Sequence, residues 1–209
     1  MFIAPADATR GDDKWRSFVT SHPFGHLVAP GGPGRGLPVV VPTQFVLEDR
    51  TVWLHLVRAN PIFAALAENP RVLLSVADDW AFIPSSWKAI GDEDPALGIP
   101  TTYYGAVQLS GTATVHDERT APGSVAAILR RQLATFQPDV EVADPGESHA
   151  PQLLGILGIS IDVEKVTAKF KCGGNVDESH RRAVAERLQA RGGPGDDAAA
   201  GHVVRRLRD

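Results

Sequence analysis

Between Thr102 and His116 the chain alternates with a period of two. The odd positions Val107, Leu109, Gly111, Ala113 and Val115 are small or apolar, and the even positions Gln108, Ser110, Thr112, Thr114 and His116 are polar. That pattern is a strand with one buried face, and a strand this long commits the chain to a sheet. Glycine (20) and proline (16) together fill about a sixth of the 209 residues, which suits many strands joined by turns and is high for a helical bundle.

The neighbouring segments read in the same terms. Thr9, three residues before Asp12, caps a short helix whose apolar side is Trp15, Phe18 and Val19, and Pro23 ends it. Strands follow at Phe24–Ala29, Leu37–Leu47 and Thr51–Leu56, the last two joined by the turn Glu48-Asp49-Arg50. A helix runs from Pro61 to Asn69, then come strands at Arg71–Val76 and Trp80–Pro84, with Asp78-Asp79 as a solvated turn between them. Residues Ser85–Pro100 read as irregular, with Asp92–Pro95 an exposed loop. After the long strand come a helix at Ala121–Phe136, a polar loop, a strand at Gly158–Phe170 and a helix at Asp177–Ala190. The closing GGPGDDAAAG predicts a flexible tail over 192–209. Antiparallel runs with helices set between them predict an α+β barrel rather than a doubly wound sheet.

Composition removes several classes. Apolar residues at 43% allow a real core, and a net charge of −4 argues against a surface built for nucleic acid or anionic lipid. Cys172 is the one cysteine, so an internal disulfide and a cysteine-rich zinc site are excluded. The start MFIAPADATR shows no secretory leader, and no apolar run approaches the ~20 residues of a membrane span, so the expected location is the cytoplasm. The histidines lack metal-ligand spacing, and there is no Walker, G-x-G-x-x-G or G-x-S-x-G pattern.

Two segments offer chemistry. In Leu56-Val57-Arg58-Ala59-Asn60-Pro61 a strand meets a helix, with Asn60 suited to the cap, Pro61 to the first helical position, and Arg58 beside free N–H groups. An anion such as a phosphate would suit that place, although a capped helix with an exposed arginine has the same sequence. The second is Phe82-Ile83-Pro84-Ser85-Ser86-Trp87-Lys88 with Ile99-Pro100-Thr101-Thr102-Tyr103-Tyr104. Its hydroxyls, rings and lysine suit an aromatic heterocycle, and equally a tryptophan packed over a barrel end. At the C-terminus seven arginines are interleaved with six acids from Asp177 onward, the pattern of a solvated helix that could touch DNA only as a local patch.

Four stretches, HLVRANP (55–61), FIPSSWK (82–88), IPTTYYGAVQLSG (99–111) and GILGISIDVEKVTAKFK (155–171), resemble in kind and order the PaiB-like family of FMN-binding negative transcriptional regulators. That family is a branch of the pyridoxamine-phosphate-oxidase-like split barrels. The resemblance implies an antiparallel six-stranded split β-barrel with flanking helices, homodimeric, with FMN at the interface. It implies an FMN-binding domain over 1–191 that includes the C-terminal helix. Carried over by position, it sets Arg58 and Asn60 at the phosphate, and Ser85, Ser86, Trp87, Lys88, Thr101, Thr102 and Tyr103 near the rest of the cofactor, while the strand geometry around Arg58 adds Thr43 and Phe45 to the expected site, with His55 beside them. Here Lys88 replaces the family's usual tyrosine, Thr102 and Tyr103 replace Trp-Asn, and Lys171-Cys172-Gly173-Gly174-Asn175 departs from K-L-S-Q-N. The implied roles are a transcriptional regulator that contacts DNA or a flavin-responsive protein. The alternatives are a flavin-dependent oxidoreductase and a split barrel holding another planar cofactor such as heme or a deazaflavin.

Overall fold

The computed structural model describes residues 1–9, 11–89 and 93–206. Asp92 of the expected loop and residues 207–209 of the expected tail lie outside them. The chain divides into two compact units, one of Met1–Phe18, Ala77–Val107 and Thr167–Asp209, the other of Val19–Val76 and Gln108–Val166. We call them the terminal unit and the barrel unit.

The strands are β1 (Phe24–Ala29), β2 (Val39–Gln44), β3 (Val46–Glu48), β4 (Thr51–Val57), β5 (Arg71–Ile83), β6 (Thr101–His116) and β7 (Ile156–Lys171). The α+β class is as expected, but the sheet has seven strands rather than six, in the order β2-β1-β5-β6-β7-β4-β3. The extra strand comes from dividing the expected Leu37–Leu47. Phe45, 1% exposed, interrupts it and donates its N–H to the Pro23 carbonyl at 3.0 Å. The residues before Phe45 pair antiparallel with β1 and those after it with β4. One residue thus joins the two ends of the strand order, so the sheet of the barrel unit returns on itself and its edges meet. Leu27, Val52, Leu54, Leu74, Leu109, Ile159 and Ile161, all at 0% exposure, fill its interior.

β5 is continuous where two strands and a turn were expected. Asp79 takes φ 55°, in the left-handed region that Asp tolerates, and this bends the strand without ending it. Ser85–Lys88, expected to be irregular, forms the short helix α3.

The other helices up to α6 are α1 (Asp13–Ser21), α2 (Ile62–Glu68), α4 (Ser124–Phe136), α5 (Pro145–Ser148) and α6 (Ala150–Leu153), of which α2, α4, α5 and α6 belong to the barrel unit. Along α4 the positions Val125, Ile128, Leu129, Gln132, Leu133 and Phe136 form one stripe at helical spacing, and Gln132 is its polar member. The terminal unit carries α7 (Glu178–Arg191), capped by Asp177 whose Oδ1 accepts from the His180 N–H at 2.8 Å. It also carries α8 (Asp196–Arg206), and here the expectation of a flexible tail fails. Ala199, Ala200 and Val203 are at 0% exposure and Asp196 at 1%, so the small residues that read as low complexity are one packed helix face. His202 packs against the rings of Phe18 and Phe170, with centroids 6.0 and 5.4 Å away, and its Nε2 lies 2.6 Å from Asp79 Oδ2.

Candidate functional site

The first candidate lies in the barrel unit, where β2, β4 and α4 border a cavity of about 380 Å³. Its polar lining includes Thr43, His55 and Gln132, and its apolar lining Phe24, Leu129 and Phe136. Strand alternation puts Val52 and Leu54 of β4 in the core and leaves Trp53 and His55 on the opposite face, beneath α4. There Arg131 lies 4.5 Å from the Trp53 ring centroid. His55 Nδ1 lies 2.5 Å from Gln132 Oε1, and with the amide oxygen facing it the ring N–H at Nδ1 donates. Gln132 was missed at the sequence level, although an amide inside an otherwise apolar helical stripe is a usable signal.

Arg58 and Asn60 lie just beyond β4. The helix begins one residue later than expected, with Pro61 rather than Asn60 at the cap position, and Asn60 Oδ1 accepts from the Ile62 N–H at 3.0 Å. Arg58, expected at the phosphate, is bonded within the barrel unit. Its Nη1 and Nη2 each donate to Asp117 at 2.7 Å, and its Nε donates to the Leu154 carbonyl at 2.8 Å. A longer bond reaches the Ile156 carbonyl at 3.4 Å. Hydrogen bonds from this guanidinium, then from the Arg119 N–H, hold the Asp117 carboxyl well below the usual carboxylate range. A bidentate carboxylate occupies the fork that would have faced a phosphate, and brings a full negative charge with it. Phe45 is likewise spent on the core rather than on a ligand ring.

The second candidate lies wholly in the terminal unit. A cavity of about 540 Å³ is lined by Lys88, Thr101, Tyr103, Lys171, Gly173 and neighbours. Lys88, Thr101 and Tyr103 were expected at a site; Lys171 and Gly173 had been noted only as departures from a family pattern. Lys171 Nζ donates to Thr101 Oγ1 at 2.5 Å. Burial lowers the affinity of Lys88 for its proton, and the charge of Lys171 lowers it further. Tyr103 is 1% exposed and its hydroxyl has no hydrogen-bond partner. Burial pushes that hydroxyl up to about 12, so it stays protonated. Trp87 does not line the cavity; the Arg191 guanidinium stacks on it 4.8 Å from the ring centroid. Ser85, Ser86 and Thr102 do not line it either. The Cys172 thiol is buried and pushed up to about 12 by that burial, which leaves it a poor nucleophile. Among the described residues no three His, Cys, Asp or Glu side chains gather as a metal site, and no helix is long and apolar enough to cross a membrane.

Known proteins share this architecture. The chain is 26% identical over 188 residues to the protease synthase and sporulation protein PAI 2 of Bacillus subtilis, covering 87% of this chain and 85% of that protein. A conserved hypothetical protein from Mycobacterium tuberculosis superposes with a TM-score of 0.59 at 15% identity, over 85% of this chain and 94% of that one. The flavocytochrome Anf3 of Azotobacter vinelandii gives 0.58 at 21% identity, over 83% and 74% of the two chains. The FAD and heme binding protein of Mycobacterium smegmatis gives 0.57 at 17% identity, over 88% and 80%. At these identities the structures establish the fold. Residues 1–165 match the family model described as "Putative FMN-binding domain", and the chain belongs to that FMN-binding family.

Proposed function

We propose that this protein is a cytoplasmic, homodimeric FMN-binding regulator of the PaiB type, with the cavity beneath α4 as part of its flavin site. FMN is the cofactor of the family to which the chain belongs. The observation that carries the assignment of the cavity is its lining. Phe24 and Phe136 offer apolar surface, while Thr43, His55 and Gln132 offer hydrogen bonds to a polar ring edge. Bound FMN supplies redox chemistry, and these side chains bind and orient it. The regulatory role rests on the relation to PAI 2, which extends over most of both chains. An absorption spectrum of the purified protein, with the released ligand identified by mass, tests the flavin; a colourless protein that takes up no FMN removes the reading.

One observation favours a flavin-dependent oxidoreductase over a DNA-binding regulator. Several C-terminal arginines are engaged in part-buried bonds within the protein: Arg191 with Asp196, Arg205 with His202 and Arg206 with the Ala6 carbonyl. Arginines held this way are poor partners for phosphates along a duplex. Gel-shift assays on upstream DNA at stated salt separate the two. Salt-dependent, sequence-selective retardation supports the regulator, and its absence alongside flavin reduction supports the enzyme.

The site assignment predicts a contrast between two variants. Gln132→Leu removes a hydrogen bond near the ring edge and strands the His55 N–H, so FMN and riboflavin should both weaken, by about 1 kcal/mol or roughly fivefold. Arg58→Ala should lower stability by freeing Asp117, yet leave the FMN-to-riboflavin affinity ratio unchanged. A ratio that collapses in Arg58→Ala would place the phosphate at Arg58 after all.

A further inference from the structure

Two attachments of different chemistry hold α8 to the terminal unit. The first is apolar: Ala199, Ala200 and Val203, all at 0% exposure, form one stripe at helical spacing, and α8 lies along α7. The second is a single histidine. His202 is 4% exposed, and its ring packs against Phe18 of α1 and Phe170 of β7. Its Nε2 lies 2.6 Å from Asp79 Oδ2 of β5, and its Nδ1 lies 3.0 Å from Arg205 Nη2. All of these residues belong to the terminal unit. α8 itself lies beyond residues 1–165, the part matched to the family.

The two partners settle where the proton is. An arginine only donates and a carboxylate only accepts, so Nδ1 accepts from Arg205 and the Nε2–H donates to Asp79. Only the neutral ring can make both bonds together. A second proton, on Nδ1, would point one N–H at another. The charged groups that bear on the ring are Asp79 from β5, Lys14 from α1 and Arg205 from α8. Protonation would set three cations against one carboxylate in a place that little water reaches. Burial is the largest cause of the ring's lowered proton affinity; the Asp79 hydrogen bond opposes it, and the charges of Arg205 and Lys14 reinforce it. The unfolded chain therefore takes up this proton more readily than the folded one. What His202 contributes is complete above the usual histidine value of 6.5 and is lost as pH falls below it.

We propose that His202 is an acid-sensitive latch: protonation of Nδ1 breaks the bond from Arg205, loosens α8 against β5 and β7, and leaves the helix held by its apolar stripe alone. Opening frees Arg205 and uncovers Phe18 and Phe170, so acid changes the surface at this end of the unit. The latch lies in the terminal unit alone and stands whether or not the protein binds a flavin.

The full-length protein, as purified, would be followed by hydrogen exchange from about pH 7.5 to about pH 5.5, with rates corrected for the intrinsic effect of pH. The Ala199, Ala200 and Val203 amides should lose protection by roughly tenfold per pH unit below 6.5, while those of α4 in the barrel unit keep theirs. NMR of nitrogen-labelled histidine should show the Nε2–H tautomer at the upper pH, with Nδ1 taking up its proton over the range in which α8 opens. The acid of α8 does not interfere, because the Arg191 hydrogen bond holds the Asp196 carboxyl below the usual carboxylate range and it stays charged throughout. His202→Gln, which binds no proton in this range, should abolish the pH dependence of α8. If that variant fails to dock α8 at any pH, the coincidence of ring protonation and helix opening in the wild type decides the matter. Protection in α8 that stays level with α4 at the lower pH, or a ring that gains its proton while α8 stays closed, would overturn the latch. So would a docked His202→Gln protein whose α8 opens with acid as the wild type does.

Discussion

Deleting residues 193–209 should destabilise the protein by about 3–5 kcal/mol, from the apolar surface of one valine and two alanines that α8 keeps from water. Val203, Ala199 and Ala200 are all at 0% exposure, and their removal also strips the cover from Phe18 and Phe170, whose rings pack against His202. Polar losses add to this. Arg191 would lose the Asp196 carboxylate that it holds at 2.5 and 2.7 Å, and Asp79 would lose His202. Against a total stability of about 5–15 kcal/mol for a domain, a loss of that size is a large fraction. Chemical denaturation of the truncated and full-length chains measures it directly. An unchanged midpoint would mean that α8 is dispensable and that the flexible-tail expectation was sound.

Gly111→Ala should cost about 3 kcal/mol, at the upper end of what overpacking does, because the new methyl meets backbone rather than a movable side chain. A Cβ at Gly111 would overlap the Asp162 carbonyl, with the Val163 Cα also only 3.2 Å away. Gly111 lies in β6 and Asp162 in β7, which are neighbours in a sheet whose two ends are tied at Phe45. Moving β7 aside would pull on its ladder with β4, where Asp162 pairs with Thr51. Gly123→Ala is the control. That residue has φ +84° with nothing within 4 Å, so its penalty is the left-handed backbone alone, about 1–2 kcal/mol. Denaturation midpoints should therefore rank Gly111→Ala well below Gly123→Ala. Equal midpoints would show that the β6–β7 approach is loose enough to admit a methyl group.

The amino-acid sequence by itself determined the elements whose cause is local. Alternation over 102–116 specified β6, helical spacing specified α4, and Asp177 specified where α7 begins, because each signal depends on residues within a turn or two of one another. The four ordered stretches were enough to indicate the family. What the tertiary structure decided lies between residues far apart in the chain. Phe45 reads as one more apolar strand residue until its neighbours are seen to pair on opposite edges of the sheet. Arg58 looks free for a phosphate until Asp117, 59 positions later, is found in its fork. The small residues of 196–203 look like linker because their burial depends on packing against α7, not on their own hydrophobicity. Lys88 and Lys171, 83 positions apart, line one cavity only because α3 and the end of β7 both border it. Periodicity and capping are short-range preferences that any stretch of chain expresses alone. Partner choice is a competition among distant groups, and only the folded path of the backbone settles which of them meet.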